Sequence, residues 1–261
     1  MVLLKLAKFY FKPAGAARFA PYILILPIIV LYALSLTGCV STSPGIPNIY
    51  VVSLRANHNA SDTPVQVRVG YYGICGIDED GKRCQSASGR SVETLMTNLF
   101  PELGGNGTNS DSNSTADADD VADMINTALD LQGGTFISVL AGAAVLFLGG
   151  VVALFFLKRD VSSPTAWDHP RRSAIIRRAT YGMLYGSTAL VFAASLATTQ
   201  SAGALKYASE AMRDASVLIK AGTTLQVLQW LVFGFSTLFA LAVPFLVRPK
   251  PQPQEEYKGE A

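Results

Sequence analysis

Cys75 and Cys84 are the residues of this chain whose chemistry is easiest to state. They stand nine positions apart, and the turn-forming stretch Asp78-Glu79-Asp80-Gly81 lies between them. In an oxidising compartment two thiols at this spacing suit a short covalent loop. Cross-linking so small a loop contributes on the order of 2–3 kcal/mol. The carboxylates inside it are too closely spaced for an EF-hand, whose ligands are spread over about twelve positions. They read as a solvated hairpin turn, and the Asp111–Asp130 cluster as solubilising charge. No serine or cysteine has an identifiable base, and no glycine-rich phosphate loop is present. The expectation is therefore no enzyme, no cofactor and no metal centre.

Whether the cysteines meet an oxidant depends on the elements that carry them. The 261 residues are 50% hydrophobic and only 15% charged, against about 25% charged in a soluble domain. The deficit is concentrated in four runs without Asp, Glu, Lys or Arg: Phe19–Gly38, Thr135–Leu157, Thr180–Thr199 and Thr223–Val247. A helix needs about 20 apolar residues to cross a bilayer, and it satisfies its own backbone there. The expected fold is an all-α membrane protein, a bundle of four transmembrane helices at 19–38, 135–157, 180–199 and 223–247. Pro27 should kink the first span, and Pro244 marks the end of the fourth. The first run exceeds the apolar core of a signal peptide, and the lipoprotein-like Leu36-Thr37-Gly38-Cys39 is set aside because three further spans follow.

Basic residues orient the bundle. The flank 1–18 carries Lys5, Lys8, Lys12 and Arg18, and the connection 158–179 carries Lys158, Arg159, Arg171, Arg172, Arg177 and Arg178. The tail 248–261 adds Arg248, Lys250 and Lys258. These three segments should be cytosolic, which leaves 39–134 and 200–222 outside. Glycosylation triplets at Asn59, Asn106 and Asn113 all fall in 39–134. His58 and His169 lie on opposite expected sides, so they form no metal pair. The basic residues are divided among membrane flanks, which excludes a nucleic-acid face.

Within the first outer segment, Ile46–Leu54 and Pro64–Ile77 read as strands, the second with strict alternation at Val65-Gln66-Val67-Arg68-Val69. Two strands alone are marginal in water, so a bridge between Cys75 and Cys84 is physically apt. Residues 103–120, rich in Gly, Asn, Ser and Asp, are expected to be a disordered insertion. Val121, Met124, Ile125, Ala128 and Leu129 then share one helical face, expected to lie on the membrane surface. Ser201–Lys220 should extend spans three and four as a helical hairpin. Gly142, Gly149, Gly150, Gly182 and Gly186 permit close helix approach, either within the bundle or at a homodimer face. Cys39 is the odd cysteine, either a buried thiol or a bridge to another chain. The spans hold no Asp, Glu, His, Lys or Arg, which argues against a coupled transporter or a self-contained ion pore.

The long first outer loop, its motif Gly70-Tyr71-Tyr72-Gly73-Ile74-Cys75 followed by Cys84, and the segment Cys39-Val-Ser-Thr-Ser before Ile49-Tyr50-Val51-Val52 resemble the fungal factor-induced-gene-one family. That family, of calcium regulators and membrane fusion proteins, lies within the claudin-like tetraspan superfamily. The loop lacks the Trp of animal claudins. The resemblance implies a claudin-like, disulfide-tied β-sheet domain outside a plasma-membrane bundle. It further implies regulation of low-affinity calcium influx and cell–cell membrane fusion during mating. The expected partners are the lipid bilayer and another membrane protein (a calcium channel component or fusion machinery) or a second copy. A rival reading is a structural organiser of membrane domains or of the cell-wall interface, like the eisosome-associated and pH-signalling four-span proteins.

Overall fold

A computed structural model describes residues 20–56, 65–78, 81–101, 113–134, 137–162, 170–211 and 217–246. Helix α1, Ala20–Leu36, is followed by a 3-10 turn at Ile46–Asn48 and by strands β1 (Val52–Ala56), β2 (Gln66–Val69), β3 (Gly73–Asp78) and β4 (Gly81–Ser86). Helices α2 (Val92–Leu99), α3 (Asn113–Gly134), α4 (Ile137–Ser162) and α5 (Pro170–Ala211) come next. Strand β5 (Val217–Ala221) and helix α6 (Thr223–Leu246) complete the described chain.

Three helices are long and apolar enough to cross a membrane, over Val139–Arg159, Ala174–Ser201 and Thr223–Pro244. Helix α1 is apolar as well, but its 17 described residues fall short of that length. The helix continues through Pro27, and α6 continues through Pro244 to Leu246. Side chains such as Leu26, Val145 and Phe156 are more than half exposed, an apolar outer surface suited to acyl chains. Inward, Phe147 stacks edge-on against Phe239 at 5.7 Å between centroids and meets Tyr32 at 5.9 Å. Ser187 Oγ donates to Ala143 O at 2.8 Å and pairs with Tyr32 OH at 3.2 Å, tying α1, α4 and α5 together.

The five strands form one antiparallel sheet in the order β4-β3-β2-β1-β5. Leu54 of β1 sits opposite Val67 on one side and Ile219 on the other. Val67 and Val69 are buried while Gln66 and Arg68 are half-buried, as the alternation requires. The sheet is larger than the two expected strands. Pro64–Ile77 divides at Gly70-Tyr71-Tyr72, and Ile46–Asn48 is a 3-10 turn because Pro47 has no N–H to give a ladder.

Two further expectations change. Val121, Met124, Ile125 and Ala128 are buried with Leu95, Leu99 and the sheet valines, so the apolar face of α3 covers the sheet instead of lying on a membrane. Of the expected disordered insertion 103–120, residues 103–112 lie outside the described residues, while the chain is helical from Asn113. The segment 200–222 is helical only through Ala211 among its described residues, which lengthens α5 to 42 residues, about 63 Å at 1.5 Å per residue. The remainder of that segment supplies β5 in place of a helical extension of span four. Its Val-Leu-Ile run finds an open strand edge, which offers hydrogen bonds that a frayed helix end lacks.

Candidate functional site

The motif residues gather where the sheet meets the bundle. Cys75 and Cys84 occupy directly paired positions on β3 and β4 and are joined by a disulfide, with their Cα atoms 4.0 Å apart. The turn beyond them is held by Asp78, whose Oδ1 accepts from Gly81 N at 2.9 Å and whose Oδ2 lies 3.7 Å from Arg83 Nη1. Asp78 is therefore committed to the hairpin. Among the described residues no three of His, Cys, Asp or Glu converge in a way that could hold a metal.

Gly70 and Gly73 bracket the break between β2 and β3, and Gly70 N donates to Gly73 O at 2.8 Å. A Cβ on Gly70 would lie 2.3 Å from Gly38 O, and one on Gly73 would lie 2.1 Å from Cys39 O. The backbone leaving α1 thus crosses directly over this turn, and only glycine leaves room for it. At the crossing Cys39 adopts a left-handed φ of 59°. Its thiol is fully buried and donates to Ile49 O at 3.5 Å, and burial pushes it up to about 12 despite the opposing pull of Arg68. Cys39 O lies 3.8 Å from Cys75 Sγ, so the end of α1 rests on the cross-linked hairpin. The thiol of Cys39 is buried, which fits the first of the two alternatives for the odd cysteine.

Between the glycines the two tyrosines turn toward the membrane helices. Tyr71 is buried among bundle residues, whereas Ile74 is buried in the sheet core. Tyr71 OH accepts a hydrogen bond from Gln229 Nε2 of α6, and Gln229 Oε1 accepts from Thr198 Oγ1 of α5 at 2.6 Å. Gln229 is fully buried, and desolvation pushes the Tyr71 phenol up to about 12. From the other side, Gln132 Nε2 at the end of α3 donates to Tyr71 O at 2.6 Å. Arg68 Nη1 donates to Pro47 O and Asn48 Oδ1 at 3.1 and 3.0 Å while its guanidinium sits 4.9 Å from the Tyr50 ring centroid. One tyrosine therefore connects the sheet, α3, α5 and α6.

The motif residues Gly70, Tyr71, Tyr72, Gly73, Cys75 and Cys84 are thus brought together. The helix glycines behave unevenly. Gly149 is 3.4 Å from Met183 Sδ and Gly186 4.0 Å from Leu146 Cδ1, measured from an added Cβ, while Gly142 and Gly182 face open space. The tight α4–α5 crossing is at Gly150, where a Cβ would lie 2.7 Å from Leu184 Cδ2. Asn59, Asn106, His58 and His169 lie outside the described residues, and Asn113 begins α3. Sequence reasoning missed Gln229 and Thr198. A glutamine and a threonine within otherwise apolar runs were the available signal, since a polar side chain at membrane depth needs a partner.

A family model described as Ca2+ regulator and membrane fusion protein Fig1 matches residues 51–248, from β1 to just past α6. No curated protein matches the chain.

Proposed function

This chain belongs to the Fig1 family of Ca2+ regulators and membrane fusion proteins, and from that premise we propose that it governs calcium influx and membrane fusion in mating fungal cells through its sheet domain. In this reading α1 is a fourth span, both termini are cytosolic, and the sheet stands outside the plasma membrane. Asn59, Asn106 and Asn113 are the glycan acceptors. The control of calcium is indirect. The four apolar runs contain no carboxylate to line an ion path, so the ion passes through a partner channel whose state the sheet domain influences.

The observation that carries this reading is the hydrogen bond from Gln229 to Tyr71. It fixes the family motif to a membrane helix, so a partner that moves the sheet also moves α6. A claudin-like relationship fits the same layout of a disulfide-tied sheet over a bundle.

The test is calcium imaging of pheromone-treated cells carrying Cys84→Ser or Tyr71→Phe chains, together with counts of fused pairs. Surface-localised variants should show reduced influx and fewer fusions. Normal influx and normal fusion by both variants at wild-type surface density would sink the proposal.

A further inference from the structure

The end of the bundle remote from the sheet carries a different chemistry. Helix α1 meets the sheet at its C-terminal end, beyond which Gly38 crosses Gly70. Tyr22, at the opposite end of α1, lies 4.6 Å beneath Lys158 Nζ of α4. The contacts of Ala143 with Ser187 and of Gly150 with Leu184 run antiparallel, so the start of α5 comes up beside the end of α4. Arg159, Arg177 and Arg178 are all exposed at this end, next to the exposed apolar side chains Phe156 and Ile175. Among the described residues no carboxylate forms an ion pair with these three arginines. Residues 158–178 hold six Lys or Arg against two Asp, whereas 39–134 hold five against twelve Asp or Glu.

We propose that this end of the bundle is a binding surface for anionic phospholipid headgroups. Guanidinium groups match phosphate oxygens in a planar, two-pronged geometry. Here they rise directly from side chains that acyl chains cover, so the ligand reaches them from within the bilayer with its tails already in place. A soluble anion gains no such second contact. The inner leaflet is the one rich in anionic lipid, so the surface also holds this end of the molecule toward the cytosol. None of this depends on the calcium reading.

The test uses the full chain reconstituted in phosphatidylcholine bilayers, with spin-labelled phosphatidylserine or phosphatidylcholine as the probe lipid. Phosphatidylserine should associate several-fold more strongly, and the preference should fall toward equality in R177Q and in R178Q, each of which removes one cation worth up to about fivefold. K82Q with R90Q, at the sheet end, should leave it unchanged. Raising the salt should erode the preference of the unmodified chain, which keeps the proposal falsifiable if the arginine variants misfold. Equal association of the two lipids, or an equal loss in the sheet-end variant, overturns it. So does full displacement of phosphatidylserine by millimolar inorganic phosphate, because the site would then be one for a free anion.

Discussion

The crossing of the Gly38–Cys39 backbone over Gly70 and Gly73 makes single atoms decisive. Gly73→Ala sets a methyl group against Cys39 O with no flexible side chain to yield, so it should cost about 1–3 kcal/mol by overpacking. Gly142→Ala meets open space and should be neutral or gain up to about 1 kcal/mol in helix propensity. Thermal unfolding in detergent distinguishes them, and equal midpoints would contradict the crossing. Alkaline titration tests the burial of Cys39 and Tyr71. In the unfolded chain these groups ionise near their ordinary values of 9.0 and 10.0, but in the folded protein only near 12. The stability they contribute is complete below about pH 9 and lost as the pH climbs toward 12. Cys39→Ala should move the onset of that loss about one pH unit upward, toward the tyrosine value, as followed by unfolding midpoints across a pH series.

Elements were legible in the sequence where their cause is local. Charge-free runs mark the membrane helices, strict alternation at Val65–Val69 marks β2, and two cysteines about a turn mark the β3–β4 hairpin. Where the cause is a distant partner, the local pattern misleads. The apolar face of α3 has the spacing of a surface helix, yet its occupant is a sheet that periodicity cannot place. Val217–Ala221 carries a helix-compatible apolar run, but β1 offers it a ladder. The polar link between Tyr71 and α6 was likewise invisible, because it joins residues 158 positions apart. Its contribution is measurable by a double-mutant cycle. Tyr71→Phe leaves a buried amide without its acceptor and should cost about 1–3 kcal/mol. Gln229→Leu removes the amide itself, so the two losses together should fall short of their sum. Strict additivity would mean that the sheet and α6 are energetically independent.

At the scale of the molecule, charge is divided along the sequence, with 39–134, which contains β1 to β4, rich in acidic residues and the α4–α5 connection 158–178 rich in basic ones. The division predicts a labelling pattern in intact cells. An impermeant maleimide should modify Ser88→Cys, exposed beyond β4, and leave Lys258→Cys untouched until the cells are permeabilised. The reverse pattern would turn the protein over and leave the disulfide in a reducing compartment. Strand order adds a constraint of timing. Leu54 and its outer neighbour Ile219 are separated by about 160 residues, roughly 10–30 s of ribosome travel at about 5–20 residues per second. During that interval the β1 edge stands bare, after the hairpin cysteines have arrived and before the closing strand has been made. A nascent chain in this state carries an unfinished seam, and a ribosome that stalls before Val217 leaves the seam permanently open.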